Sequence, residues 1–363
     1  MMEKAHRCWA EIGRAALRCN AKVVRDRIGS AEMLAVVKAD AYGHGLVGVA
    51  QALAGDAQLF GVANLEEALR LRESLPHPIV ILGPGIPEER STIVERGFIP
   101  TISTFAEAEA FARAGRVLIN FKIDTGMGRM GAVEGEAVEV FKRIASLRNI
   151  EFHSVSTHLP VANEETEYTR DQLARFRELI GQMRATVPGD YKAHVLQSAG
   201  TLAFNETPHE IVRAGIILYG ISPLAGFQNL LQPAMTWKTR VGLVRDLPKG
   251  ASISYGRTFI TPRPMRVATL TAGYADGYPR QVSNRGAAML VRGKRCDLLG
   301  RVTMDLMVID VSEIEAVEPG EEAVLMGRQD AQEISAHEIA ENADTITWDI
   351  TTRIGRRVRR VFV

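Results

Sequence analysis

From residue 33 to about residue 220 the chain alternates between short apolar, β-branched runs and longer amphipathic ones, and this alternation narrows the possible folds more than anything else in the sequence. The apolar runs are MLAVVKA (33–39), QLFGVAN (58–64), IVILGP (79–84), FIPTIS (98–103), VLINFKID (117–124), EFHSVSTH (151–158), AHVLQS (193–198) and EIVRAGI (210–216). Each has strand length and lacks a helical stripe. The intervening segments, such as NLEEALRLRESL (64–75) and TFAEAEAFARAG (104–115), repeat apolar residues every three or four positions. Asn64 and Thr104 stand where a helix start needs a cap. The seventh helix, near AGTLAFN, promises to be short. Strand–helix alternation implies right-handed crossovers and a parallel sheet. Eight such strands favour a closed (β/α)8 barrel over an open sheet.

After about residue 232 the texture changes. WKTRVGLVRDL, RVATLTAG, AAMLVRG, RCDLLG, RVTMDLMVIDV and EAVLMG read as strands separated by turn signals such as Pro248-Lys249-Gly250 and Pro319-Gly320. Only SAHEIAENA (335–343) reads as helix. The expected organisation is α/β: an N-terminal barrel over 10–232 and a C-terminal, mostly antiparallel β domain over 233–363. With 46% hydrophobic and 24% charged residues, the 363-residue chain can bury a substantial core in each.

Charge and composition remove several function classes. A net charge of +1 gives no reason to expect a nucleic-acid partner. No run of about 18 uncharged apolar residues is present, so a membrane span is not expected. The opening MMEKAHRCWAEIGRAAL lacks a signal-peptide pattern, so a cytoplasmic protein is expected. Cys8, Cys19 and Cys296 are far apart and form no zinc or redox spacing; they read as reduced structural thiols, with no metal site.

In a strand–helix barrel, chemistry gathers at the C-terminal ends of the strands. There the sequence places Lys38, followed by Tyr42, Gly43 and Gly45; Lys122 and Asp124, followed by the glycine-rich loop carrying Arg129; His158; Gln197-Ser198; and Arg213 with Gly215 and Ile216. A lysine at a strand end often only reaches to solvent, but a desolvated one is available for Schiff-base chemistry. Glycines beside it let backbone amides approach an anion. Arg129 in DTGMGRMG suits a carboxylate or phenolate, although a loop arginine can equally be solvated. Arg213 reads either as an ion-paired barrel residue or as part of an anion site with Ser198 and the Gly215 and Ile216 amides. His158 and His194 have no metal-ligand spacing and are ordinarily hydrogen-bonded structural residues. In the β domain, Tyr255 lies between a strand and Gly256, where an aromatic most often packs at an interface.

Taken together, VVKADAYGHG, KIDTGMGRMG, THL, RAGIILYG, SYGRTF, AGYADGYPR and GRVTMD resemble the alanine racemase family, in that family's order and over residues 9 to about 358. WAEIGRAALRCNAKVVRD resembles the family's opening segment. The resemblance implies fold type III, pyridoxal 5'-phosphate (PLP) as cofactor, a head-to-tail homodimer with shared sites, and an opening strand within 1–9 that joins the β domain. It implies that Lys38 carries the cofactor and serves as one catalytic base, with Tyr255 from the other subunit as the opposite base. Arg213 would face the pyridine nitrogen, His158 would link Tyr255 with Arg213, and His194 would support Arg213. Tyr42, Ser198, Gly215 and Ile216 would hold the phosphate. Arg129 would meet the cofactor phenolate and, with the Met304 backbone, the substrate carboxylate. Tyr274 would line the entrance, and Lys122 matches a lysine that is often carbamylated. The family role is racemisation of L- and D-alanine, supplying D-alanine for peptidoglycan.

Three places depart from the family pattern. Gln197 stands for the usual asparagine, LPVANEE after His158 is unusual, and Arg356 replaces a phosphate-contacting tyrosine that narrows the pocket, with Arg359 in place of a proline. Arg356 raises the expectation of a broader specificity that admits serine. The rival readings are a fold-III amino-acid decarboxylase, which would bring a cysteine-containing C-terminal loop to the site, whereas Cys296 is isolated and the Tyr255 motif is present, and a PLP carrier without turnover, which would not need the second domain with Tyr255 and Met304.

Overall fold

The structure is a computed structural model and describes residues 6–204 and 210–363. Residues 1–5 of the expected opening segment, and Asn205 at the end of AGTLAFN, lie outside the described residues. The chain divides into two compact units. One comprises Ala15–Ala41 and Leu46–Gln232; the other takes the described residues up to Arg14, then Tyr42–Gly45 and Pro233–Val363.

In the first unit all eight apolar runs form strands, joined side by side in parallel. The order is Ile211–Ala214, Glu32–Val36, Leu59–Val62, Ile79–Ile81, Ile99–Ile102, Val117–Asp124, Ile150–Ser156 and Lys192–His194. The two ends of this sheet are joined by Glu210 N–H to the Ala193 carbonyl (3.3 Å) and Arg213 N–H to the Leu196 carbonyl (3.0 Å), which brings the parallel sheet near to closure as a barrel. The strands are short because buried parallel strands read as continuous Val, Ile and Leu runs that stop where the chain turns into a helix. The helices begin as their caps require. Asn64 Oδ1 accepts from Glu67 N–H at 3.0 Å, and Thr104 Oγ1 accepts from Glu107 N–H at 3.2 Å. The helix Ser198–Ala203 is short, as AGTLAFN suggested.

The second unit is a mostly antiparallel sheet built on the thirteen-residue strand Met235–Leu247. One side of that strand pairs with Cys8–Ile12, which in turn runs parallel to the C-terminal strand Arg359–Phe362. The opening strand therefore belongs to this unit, and it extends through Ile12, beyond residue 9. Thr347–Thr352 is a second helix after Ala336–Ala343 that the sequence reading missed. Its threonines and isoleucine argue for strand, but Thr347, Ile350 and Thr351 are buried on one face. Among the described residues, no helix is long and apolar enough to cross a membrane.

Candidate active site

Lys38 stands two residues beyond the strand Glu32–Val36, and the four residues after it are left-handed: Ala39, Asp40, Ala41 and Tyr42 have φ of 54°, 52°, 55° and 52°. This conformation costs an L-residue about 1–2 kcal/mol, so a run of four persists only when its surroundings hold it. Here Asp40 N–H donates to Glu67 Oε1 at 3.0 Å, Ala41 N–H to the Val37 carbonyl at 2.8 Å, and Leu46 N–H to Asp40 Oδ1 at 3.1 Å. Burial pushes the Lys38 amine below its ordinary value and Arg129 and Arg213 reinforce this, while Glu67 opposes it. The amine is thus biased towards its neutral, nucleophilic form. Burial raises the Tyr42 phenol to about 12, which keeps it a neutral hydrogen-bonding group.

Arg213 is buried, and its guanidinium is committed on two of three nitrogens. Nη1 donates to His194 Nδ1 (2.7 Å) and the His194 carbonyl (2.9 Å). Nη2 donates to the carbonyls of Thr157 (2.7 Å) and Val195 (2.8 Å) and reaches His158 Nδ1 at 3.4 Å. Nε makes none of these bonds, so it is the donor left to meet a ligand. Burial and Arg129 bring Arg213 down to about 10, still a cation at neutral pH. Burial, then Arg213 and Lys122, hold His158 down to about 2 and His194 well below the ordinary imidazole value. Both histidines are therefore neutral acceptors for Arg213.

A polar chain continues inward from His194. Thr101 Oγ1 donates to the Ile81 carbonyl at 2.7 Å and so accepts from Asn120 Nδ2 at 3.1 Å. That turns Asn120 Oδ1 towards Ser154 Oγ (3.1 Å) and His194 Nε2 (3.0 Å). His194 must donate from Nε2, which leaves Nδ1 to accept from Arg213. Nothing in the sequence pattern marks Asn120 for this role.

The loop carrying Arg129 is organised by Asp124. Its Oδ1 accepts from the amides of Gly126 (2.9 Å), Met127 (2.8 Å) and Gly128 (3.1 Å). Burial works against this carboxylate, but the amides of Gly126, Gly128 and Met127 outweigh it and hold it below the usual range. Lys122 is buried, and burial, Arg213 and Arg129 drive its amine well below the ordinary lysine value, with Asp124 opposing. Lys122 has no ion pair among the described residues.

Ser198 Oγ accepts from Gly215 N–H at 3.0 Å, which joins two expected anion-binding positions. Gln197 caps the helix that starts at Ser198, accepting from Gly200 N–H at 2.7 Å, so the glutamine retains a capping role. The cations Arg129 and Arg213, beside the amines of Lys38 and Lys122 whose protonation they oppose, suit this end of the barrel to an anionic ligand with a carbonyl that an amine can attack.

The remaining candidates lie in the other unit. Tyr255 is 68% exposed, Met304 53% and Tyr274 40%. Tyr255 sits in a tight turn in which Ser254 Oγ donates to the Arg301 carbonyl at 2.6 Å. Gly256 has φ +73°, and an added Cβ there would meet the Arg301 guanidinium at 2.8 Å. The Met304 carbonyl accepts from Ala275 N–H at 2.9 Å, so this loop and the Tyr274 turn brace each other. Arg356 is exposed.

Comparison with known proteins agrees across the whole chain. The family model "Alanine racemase, N-terminal domain" matches residues 12–223, and "Alanine racemase, C-terminal domain" matches 234–362. The alanine racemase of Halothermothrix orenii is 40% identical, over 98% of this chain and 96% of its own. That of Symbiobacterium thermophilum is also 40% identical, with the same coverage. Among solved structures, alanine racemase of Clostridium difficile superposes with a TM-score of 0.93 at 29% identity, covering 99% of this chain and 97% of that one. The Bacillus anthracis alanine racemase with bound L-Ala-P gives 0.91 at 33% identity, covering 99% and 95%.

Proposed function

This chain belongs to the alanine racemase family and is an isomerase that interconverts L- and D-alanine; on that premise we propose that it works with PLP, between two bases, in a homodimer that shares its sites. The observation that carries the reading is the arrangement of Lys38, its amine biased towards neutrality, in a cluster with Arg129 and with an Arg213 held by two neutral histidines.

The residues fit the cofactor. Lys38 would carry it. Arg213, through its uncommitted Nε, would face the ring nitrogen and, as a cation, keep that nitrogen unprotonated. Tyr42, Ser198, Gly215 and Ile216 would hold the phosphate, and Arg129 the phenolate. Bound there, PLP supplies an electron sink that makes the α-hydrogen of alanine removable.

The chain's own residues then handle the proton. The Lys38 amine takes or returns it on one face of the α-carbon, and the Tyr255 phenol of the partner subunit does so on the other. Each must lie within hydrogen-bond reach of that hydrogen. Arg129 and the Met304 backbone hold the substrate carboxylate, and Tyr274 lines the approach. Carbamylation of Lys122 would add carbon dioxide to its neutral amine with loss of a proton, and the carbamate oxygens would then carry a negative charge that offsets the cations Arg213 and Arg129 acting on this residue. A role in supplying D-alanine for peptidoglycan, in the cytoplasm, follows from the same reading.

The test is loss of optical activity from L-alanine, followed by circular dichroism, across a panel of amino acids. Wild type should racemise alanine well above serine, and Lys38→Ala and Tyr255→Phe should each lose at least about a hundredfold. Carbon dioxide release would favour a decarboxylase, and bound cofactor without turnover a carrier.

A further inference from the structure

Two glutamates occupy the same place in two strand–helix units, three residues after the capping residue. Glu107 uses its carboxylate locally: Oε2 accepts both Ser103 N–H (2.7 Å) and Thr104 N–H (3.0 Å), a capping box that closes its own helix start. Glu67 differs. Oε2 accepts Ala63 N–H at 2.9 Å, but Oε1 turns away from its own helix and accepts the backbone N–H of Asp40, 27 residues earlier in the chain. Asp40 is the second residue after Lys38 and stands within the left-handed run. Glu67 is buried, so its bonds are shielded from water.

We propose that Glu67 is a positioning residue for Lys38, its carboxylate clamping the left-handed turn that follows the lysine onto the start of the next strand–helix unit and so setting where the amine stands.

The geometry gives each carboxylate oxygen one backbone donor. An amide has a single acceptor, so glutamine must turn its NH2 against one of the two N–H groups. A capping role would be satisfied by the Ala63 bond alone. The Asp40 bond is the additional one, and it falls where four consecutive residues adopt a conformation that L-residues avoid. The charge acts in the same place. Arg129, Arg213 and Glu67 are the charged groups that act on Lys38, and Glu67 alone among them favours the ammonium. Removing it frees the turn and withdraws the opposing charge together. This rests on Lys38 being the working amine, but the clamp itself can be read independently of turnover.

The experiment compares Glu67→Gln with Glu107→Gln in the full-length protein. Hydrogen exchange resolved to residues 38–46 should accelerate at least about tenfold in Glu67→Gln and stay at the wild-type rate in Glu107→Gln. Competitive acetylation of Lys38 in cofactor-free protein, read by mass spectrometry, should show its pH midpoint lowered by about half a unit or more in Glu67→Gln only. Equal behaviour of the two variants, or an unchanged Asp40 exchange rate, overturns the proposal. Should Glu67→Gln not fold, the wild-type Asp40 amide decides: slow exchange supports the clamp and exchange at the unfolded rate refutes it. Absence of alanine racemisation in wild type would remove the functional reading and leave the exchange result standing.

Discussion

Arg213 donates through Nη1 to His194 Nδ1 at 2.7 Å, a bond that gives the buried cation one of its five acceptors and adds to burial in keeping the histidine neutral. A protonated His194 would present a donor to a donor. The ring is held from its far side too, because Asn120 Oδ1, 3.0 Å from Nε2, needs the ring proton there. Arg213→Lys keeps the charge but loses the planar fork, and an ammonium has three donors for the five partners that Nη1 and Nη2 now reach. The variant should lose about 2–4 kcal/mol of stability, measured by denaturant unfolding, and bind PLP at least about tenfold more weakly. Wild-type stability in Arg213→Lys would contradict this view of the network.

The same network gives stability a defined pH dependence. An unfolded His158 takes up a proton below about 6.5, whereas the folded one, brought to about 2 by burial and Arg213, does not. The unfolded state therefore binds more protons, and stability is lost as pH falls below that value, by up to about 1.4 kcal/mol per pH unit for each such histidine. The stability advantage of wild type over His158→Gln should shrink between pH 6.5 and 4.5. Parallel curves over this window would mean that the folded histidine is protonated.

Gly43 and Gly29 both have positive φ, +80° and +59°, but only Gly43 is crowded. A Cβ at Gly43 would fall 2.0 Å from the Thr351 carbonyl oxygen, and the Gly43 carbonyl accepts from Arg360 Nε at 2.8 Å. At Gly29 nothing lies within 4 Å. Gly29→Ala should cost about 1 kcal/mol and Gly43→Ala at least about 3 kcal/mol, or prevent folding. Thermal unfolding of the pair separates local φ strain from steric conflict, and equal costs would discount the Thr351 contact.

Asp124 organises the backbone of the Arg129 loop. Asp124→Ala frees three loop amides, so Arg129, which we propose holds the substrate carboxylate, loses its fixed loop backbone. KM for alanine should rise about tenfold or more, while kcat falls less, because ground-state and transition-state carboxylate binding weaken together. A variant that loses kcat with KM unchanged would place Asp124 elsewhere in the mechanism.

The regular parts of the fold were legible because their signals are local. VLINFKID forms a strand over the very residues Val117–Asp124 that its pattern marks, and Asn64 and Thr104 cap the helices they precede. TWDITT misled because its β-branched residues favour a strand, while the tertiary context buries one helical face of it. The glycines of DTGMGRMG announced a tight loop, but not that one Asp124 oxygen gathers its amides. Glu67 looked like any residue of a helix start, since nothing in NLEEAL indicates that one of its oxygens leaves the helix.

The sequence by itself determined the strand–helix alternation and the change to a β-rich second unit, because periodicity and turn chemistry act over a few neighbouring positions, whereas the roles proposed for Lys38, Arg129, Arg213 and Tyr255 come from the family resemblance of their motifs. Only the tertiary structure decided that Glu67 meets Asp40, that Asn120 orients His194, and that Arg213 offers Nε while its other nitrogens are occupied. These are hydrogen bonds between residues up to 74 positions apart, and their geometry does not exist until the barrel strands pair and exclude the water that would otherwise satisfy each group.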